Sequence, residues 1–268
     1  MPLLRLGVDA RSRVGFLWAM GQADDVTVRR VTVRSDGRPF GALVVGQHGP
    51  TDPGAMCPVV AFGHGFAQDA GRYLSILTGL AARGYVVVAP DSETRLWPSH
   101  ARLADDLWRA IEWARSSSPH ADPAACAVAG HSMGAGAALL AAQRHTDIDT
   151  VVTFAAARTR PSSVAAAAAI RADALFVVGS LDRIVRPETT RTMYAAKPTP
   201  ATFVTITGGY HCGFLDSAAC RGLGCDSGDL TRDAQLAITR QLLGDWLDSR
   251  LRGRPLPPWP DHVVVESR

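Results

Sequence analysis

The chain has 268 residues, of which 47% are hydrophobic and 20% are charged, and its formal net charge is +3. These values are ordinary for a folded globular protein and argue against long disordered regions. The basic residues are scattered, with no block interleaved with aromatic residues. Nucleic acid is therefore not an expected partner.

The first residues, Met1–Asp9, interrupt their apolar run too early for the hydrophobic region of a secretory signal. No later stretch is long enough to span a bilayer. We therefore expect no stable membrane insertion and favour a cytoplasmic location, with secretion left open in case a leader has been removed. The expected oligomeric state is a monomer or a weak homo-oligomer.

The hydrophobic pattern changes once along the chain. Val26–Val33 alternates apolar and polar residues, turn-forming residues occupy 35–39, and Phe40–Val45 is apolar again, which predicts an antiparallel hairpin. From Pro58 onward, short apolar runs alternate with helical stretches, which is typical of buried parallel strands and their crossover helices. The predicted parallel strands are Val59–Phe62, Tyr85–Ala89, Cys126–Ala129, Thr150–Phe154, Ala174–Val178 and Thr202–Ile206.

The helical stretches between these strands complete the predicted architecture. They lie around Arg72–Arg83, Leu103–Arg115, Gly134–His145, Glu188–Ala196 and Leu230–Leu251, and the alanine run Ala165–Ala169 is expected to belong to another helix. Together they predict an α/β fold, a mostly parallel eight-stranded sheet with helices on both faces. We expect a single domain over residues 1–268, with a core at about 26–252 and a proline-rich surface tail at 253–268.

A G-x-S-x-G motif occupies residues 130–134, with an apolar strand before it and an alanine-rich helix after it. This context is the one in which a sharp strand-to-helix turn exposes a nucleophilic serine. Glycines two residues before and two residues after Ser132 let neighbouring backbone segments approach closely. Ser132 is the predicted nucleophile, and the competing interpretation is a glycine-rich turn with an incidental serine.

A nucleophilic serine needs a histidine base that a carboxylate orients. Asp182 follows the strand Ala174–Val178, and catalytic groups of open α/β sheets gather at such strand ends. Asp173 and Glu188 are weaker candidates because they lie off that strand end. His211 follows the last parallel strand and alone satisfies both this context and the chain order Ser, Asp, His, since His262 falls near the end of the chain. The predicted triad is Ser132, Asp182 and His211.

An acyl-transfer site also needs amide donors for the oxyanion. Met133 supplies the amide after the nucleophile, and the loop Gly63–Phe66 is expected to supply the other through Phe66, with Ala67 as the fallback. His64 in this loop is expected to support it by hydrogen bonding rather than to act as a base.

The five cysteines are unevenly spread, with Cys212, Cys220 and Cys225 close together. One disulfide within this group is expected and would favour an oxidising compartment. Zinc is a weaker interpretation, because only His211 is adjacent. No metal or organic cofactor is needed for the predicted chemistry.

With these motifs in place, the chain resembles the dienelactone-hydrolase-like branch of the α/β hydrolases, particularly chlorophyllase-like proteins and bacterial cutinase-type polyester hydrolases. The resemblance covers roughly Val26–Leu251 and is carried by residues 64–66, 81–91 and 130–134 and by the loops that hold Asp182 and His211. It implies the α/β-hydrolase fold and a small-molecule or lipid-like ester as substrate.

The chain also departs from the polyester hydrolases. Their tryptophan after the sixth strand is replaced by Ala155–Ala157, which argues against an aromatic polyester. Phe66, Met133 and Trp97 remain as apolar lining for an acyl chain, with a loop anchor as the alternative role of Trp97. No long insertion between the sixth and seventh strands provides a lid, so an open cleft is expected.

The sequence thus predicts a serine hydrolase that cleaves carboxylic esters through an acyl-enzyme. An acyltransferase with the same acyl-enzyme remains an alternative, since only the final acceptor differs. A non-catalytic binding protein on the same fold is a second alternative, because fold does not fix function.

Overall fold

The computed structural model describes residues 26–34, 37–47, 55–218 and 225–268, and one sheet of nine strands runs through this part of the chain. The expectations for Met1–Asp9, for part of the turn at 35–39 and for Cys220 fall outside the described residues. The strands are β1 (Val26–Val33), β2 (Phe40–Gln47), β3 (Cys57–Gly63), β4 (Val86–Pro90), β5 (Ala121–His131), β6 (Thr150–Phe154), β7 (Asp173–Gly179), β8 (Ala201–Ile206) and β9 (Val263–Ser267).

Six α-helices are described in the same residues, and each corresponds to a stretch that the sequence pattern indicated. They are α1 (Leu74–Ala82), α2 (His100–Ser117), α3 (Met133–Arg144), α4 (Ser163–Ala169), α5 (Pro187–Ala196) and α6 (Arg232–Arg252). Polar caps set several of their ends. Thr231 accepts a hydrogen bond from the Ala234 amide at the start of α6, and Gly253 ends α6 with a left-handed φ of 65°.

The strand order is β1-β2-β4-β3-β5-β6-β7-β8-β9. The six neighbouring strands β4, β3, β5, β6, β7 and β8 pair in parallel, whereas β1, β2 and β9 run antiparallel to their neighbours. The predicted hairpin and the six parallel strands are confirmed. The strand β9 was not predicted: Val265 pairs with Val204 of β8, so the C-terminal tail adds a ninth strand at the sheet edge.

Two hydrophobic clusters cover the two faces of the sheet. Val59 and Ala61 of β3 point to the face covered by α2, α3, α4 and α5. Val60 and Phe62 of the same strand point to the face covered by α1 and α6. Strands that are buried on both faces read as continuous apolar runs, which is why the sequence revealed them. No helix in the described residues is long and apolar enough to cross a membrane.

The contact between β3 and α3 depends on a glycine. A Cβ atom added to Gly134 would lie 2.2 Å from the backbone carbonyl carbon of Gly63. Because the atoms that this Cβ would meet belong to the backbone, no change of side-chain rotamer can relieve the contact. We expect Gly134→Ala to lower the free energy of unfolding by about 3 kcal/mol, measured by urea denaturation followed by far-UV circular dichroism.

Gly46→Ala is the matched control, since a Cβ at Gly46 would meet nothing within 4 Å. Its free energy of unfolding should stay within about 1 kcal/mol of the wild-type value. A Gly134→Ala variant as stable as Gly46→Ala would contradict the close contact between β3 and α3.

Candidate active site

Ser132 lies in a strained turn between β5 and α3. Its backbone has φ 56° and ψ −115°, a conformation that non-glycine residues rarely adopt. Its amide donates to the Phe154 carbonyl at 2.8 Å, and the residue is 8% exposed at the carboxyl end of β5. A strained backbone fixed by tertiary contacts is the local structure that the G-x-S-x-G motif predicted.

The loops after β7 and β8 bring Asp182 and His211 together. The Asp182 Oδ2 atom lies 2.8 Å from His211 Nδ1, and both side chains are buried. The other carboxylate oxygen, Oδ1, accepts hydrogen bonds from the amides of Ile184 and Val185 at 2.9 and 2.8 Å. The carboxylate is therefore fixed at both oxygens. Because His211 Nδ1 donates to Asp182, Nε2 is the ring nitrogen left to act as a base.

The His211 ring lies beside the serine turn. Its centroid is 4.4 Å from that of His131, which directly precedes Ser132. Phe214, at the end of the same short 3₁₀ helix as His211, packs 5.4 Å from the His131 ring. The pair Asp182 and His211 thus lies beside the turn that carries Ser132, at the carboxyl ends of β5, β7 and β8.

The loop after β3 forms a tight turn next to this cluster. The Gln68 amide donates to the Gly65 carbonyl at 3.1 Å, and Ala67 has φ 54°, which makes Phe66 and Ala67 the central residues of a type II turn. The Phe66 side chain is 38% exposed. Met133 is buried at the first position of α3, where helix amides are free of intrahelical partners and carry a partial positive charge.

His64 is fully buried and supports the loop. Its Nδ1 atom is 2.8 Å from the Gly65 carbonyl oxygen, and its Nε2 atom is 2.7 Å from the Ser92 carbonyl oxygen. Because both ring nitrogens face backbone carbonyl oxygens of two loops, His64 is not placed to accept a proton from a substrate. The geometry agrees with the supporting role expected from the sequence.

Trp97 lies in the loop after β4 and is 94% exposed. Such exposure does not fit the alternative role of a loop anchor. Trp97 lines an open cavity of about 660 Å³ whose other walls include Arg38, Glu93, Arg95 and Arg102. Ile184, which follows Asp182 by two residues and is 50% exposed, is another apolar residue at this sheet edge, and no sequence motif indicated it.

The disulfide expected near the C-terminus joins Cys212 to Cys225, while Cys57 and Cys126 are free thiols. It places Asp226 against the histidine loop. Asp226 Oδ2 accepts hydrogen bonds from the amides of His211 at 3.0 Å and Arg183 at 3.1 Å, and Oδ1 accepts from the Cys212 amide at 3.0 Å. One carboxylate therefore ties the acid loop to the histidine loop.

Asp226 was missed in the sequence because its partners lie 14 to 43 positions away. The signal that could have found it is its position next to Cys225, a cysteine expected to pair close to His211. Nothing in the local pattern around Asp226 indicates three amide partners.

We expect Asp226→Asn to lower the kcat of the wild-type activity by about 10-fold to 100-fold. The asparagine amide replaces one acceptor oxygen by a donor that faces a backbone N–H group, and small misplacements of reacting groups are costly. Steady-state kinetics on the purified variant measures the effect. Asp229→Asn, an exposed neighbour, should leave kcat unchanged. Equal kcat values for both variants would show that Asp226 does not hold the two loops.

Within the described residues, no group of three or more histidine, cysteine, aspartate or glutamate side chains is arranged to hold a metal ion. Burial and the neighbouring His211 hold the pKa of His131 well below its usual range. His131 is therefore a neutral neighbour of His211 at neutral pH.

Comparisons with known proteins found similarity to hydrolases. Residues 54–166, from before β3 to within α4, match the family model described as serine aminopeptidase, S33. Together with the order and pairing of the strands, this match shows the α/β-hydrolase fold. It is also 33% identical over 115 residues to chlorophyllase-1 of Arabidopsis thaliana, covering 40% of this chain and 35% of that protein. The chain is thus similar to a chlorophyllase, and the similarity spans about a third of the length of this curated relative.

Proposed function

We propose that this α/β hydrolase is a carboxylic-ester hydrolase that uses Ser132 as nucleophile, His211 as general base and acid, and Asp182 as the carboxylate that orients the imidazole. The observation that carries the proposal is the 2.8 Å contact between Asp182 Oδ2 and His211 Nδ1, beside a serine in the strained turn. A buried carboxylate held by two amides at its other oxygen stabilises the imidazolium that forms during catalysis.

The proposed reaction has two halves. His211 Nε2 takes the proton of the Ser132 hydroxyl while Oγ attacks the ester carbonyl carbon, and the amides of Met133 and Phe66 bind the resulting oxyanion. His211 then returns the proton to the leaving alcohol as the C–O bond breaks, which leaves an acyl-serine. Water attacks this acyl-enzyme through the same steps and releases the acid.

An ester with an apolar acyl group suits the residues around the serine. Phe66 and Ile184 expose 38% and 50% of their side chains at this edge, and burying such apolar surface favours binding of a hydrocarbon chain. The resemblance to chlorophyllase-like and cutinase-type proteins also supports an ester rather than an amide. The connection from β6 to β7 contains only the seven-residue α4, which supports an open cleft.

The proposal is tested with p-nitrophenyl esters of graded acyl length and with aminoacyl p-nitroanilides. We expect ester hydrolysis with a preferred acyl length and little p-nitroanilide hydrolysis. Preferred cleavage of the p-nitroanilides would mean that the substrate is an amide and not an ester. Product formation that requires an added alcohol or amine would instead support an acyltransferase.

A further inference from the structure

Tyr73 and His131 form a buried polar pair beside the proposed site that the reaction steps above do not use. Tyr73 is 0% exposed and His131 2% exposed. The Gly65 amide donates to the Tyr73 oxygen at 2.8 Å, and that oxygen lies 3.0 Å from His131 Nδ1. The three residues therefore connect the loop after β3 with the last residue before Ser132.

The direction of each hydrogen bond follows from the available donors and acceptors. The Tyr73 oxygen accepts from Gly65, so the phenol proton needs an acceptor of its own, and His131 Nδ1 is within reach. Burial raises the pKa of Tyr73 above its usual range, which keeps the phenol protonated. Burial and His211 lower the pKa of His131, which keeps its ring neutral. Tyr73 thus donates to His131 Nδ1.

Gly65 is held on both sides of its backbone. Its amide is fixed by Tyr73, and its carbonyl accepts from Gln68 and faces His64 Nδ1. Because a trans peptide is planar, fixing the Gly65 carbonyl also fixes the Phe66 amide, which points the opposite way. A Cβ atom at Gly65 would lie 3.1 Å from the Tyr73 oxygen and 3.6 Å from Ser132 Cβ, so these groups converge on one point.

We propose that Tyr73 is a positioning residue that sets the separation of the two oxyanion amides. One amide belongs to Phe66, next to Gly65, and the other belongs to Met133, two residues after His131. The Tyr73 hydroxyl bridges the two segments that carry these amides. This inference rests on the proposed function, because it concerns the stabilisation of the tetrahedral intermediate in that reaction.

The test is Tyr73→Phe, which removes the bridging oxygen and keeps the ring. We expect kcat to fall by about 10-fold to 100-fold, which is less than the 10²-fold to 10³-fold loss typical of deleting an oxyanion donor. KM should stay within about 3-fold of the wild-type value, because the oxyanion exists only after the serine has attacked. The affinity for a phenylboronic acid, which forms a tetrahedral adduct with a nucleophilic serine, should fall by a similar factor.

Tyr85→Phe is the matched control. Tyr85 is equally buried, and its hydroxyl donates to Asp248 Oδ1 at 2.7 Å near the start of β4, at the opposite end of the sheet from the site. Both variants lose a buried, hydrogen-bonded phenol hydroxyl. Tyr85→Phe should leave kcat and boronic acid affinity unchanged, whatever its effect on the midpoint of urea unfolding.

His131 provides a second pair of variants that does not depend on the tyrosine. His131→Asn places an acceptor oxygen near the position of Nδ1, whereas His131→Leu offers none. The leucine variant should lose more kcat than the asparagine variant. Adding Tyr73→Phe to His131→Leu should cost little more, because the leucine already breaks the bridge that the tyrosine hydroxyl makes.

A folded Tyr73→Phe variant with wild-type kcat and boronic acid affinity would overturn the positioning role. Equal losses of kcat in Tyr73→Phe and Tyr85→Phe would overturn it too, since a loss of stability would then explain both. Failure of the wild type to hydrolyse any ester would instead count against the proposed function.

Discussion

Ser132→Ala should lower the kcat of ester hydrolysis by about 10⁴-fold to 10⁶-fold, the range typical of removing the nucleophile of a serine hydrolase. The reason is that no acyl-enzyme can form without Oγ. Alanine removes only the hydroxyl, so the strained turn at φ 56° keeps a side chain of similar size. The measurement is the release of p-nitrophenol from the preferred ester, with urea unfolding run in parallel to confirm a wild-type fold.

Ser180→Ala is the matched control for this loss. The Ser180 hydroxyl accepts a hydrogen bond from the Gly208 amide at 2.9 Å, in the neighbouring loops of β7 and β8. Its removal should cost stability while turnover stays far above that of Ser132→Ala. Residual turnover of Ser132→Ala within 10-fold of the wild type would rule out Ser132 as the nucleophile.

Asp182→Asn should lower kcat by about 10⁴-fold, since an orienting amide holds the imidazole in the wrong tautomer. The Asp182 carboxylate accepts a hydrogen bond from His211 Nδ1. An asparagine nitrogen in place of Oδ2 would instead donate a hydrogen bond to Nδ1. His211 would then carry its proton on Nε2, the nitrogen that must accept the serine proton. Steady-state kinetics with saturating ester measures the fall in kcat.

The comparison variant is Asp173→Asn on the same strand. Asp173 lies at the start of β7, and its carboxylate pairs with Arg250 at 2.7 Å. It was the weaker alternative acid in the sequence, and its substitution should leave kcat unchanged. If Asp173→Asn lost more activity than Asp182→Asn, the assignment of the acid would be wrong.

Most of the sheet could be predicted because its physical origin is local. Strands such as Val59–Phe62 and Ala174–Val178 are buried on both faces, so their apolar runs are continuous and visible in the sequence. The motif at 130–134 is partly local as well, since a Cβ atom at Gly130 would lie 2.6 Å from the backbone of Gly134 in the same turn. Asp182 and His211 followed from strand order and from the requirement for a base and an orienting carboxylate.

Features that depend on distant partners could not be predicted. Residues 263–265 form an apolar β-branched run, but the preceding prolines indicated a surface tail, and only pairing with β8 makes this run a strand. Tyr73 looked like an ordinary helix residue, and its contact with His131 spans 58 positions. Polar groups that act through tertiary hydrogen bonds leave no periodic signal in the sequence.

The most direct test of the central claim is labelling of the wild-type protein with a fluorophosphonate, followed by peptide mass spectrometry to locate the adduct. The claim that Ser132 is an activated nucleophile requires one adduct, on Ser132, and its loss in His211→Ala, since a serine hydroxyl needs an adjacent base to react. An unlabelled wild-type protein, or an adduct on another residue, would contradict the proposed serine ester hydrolase.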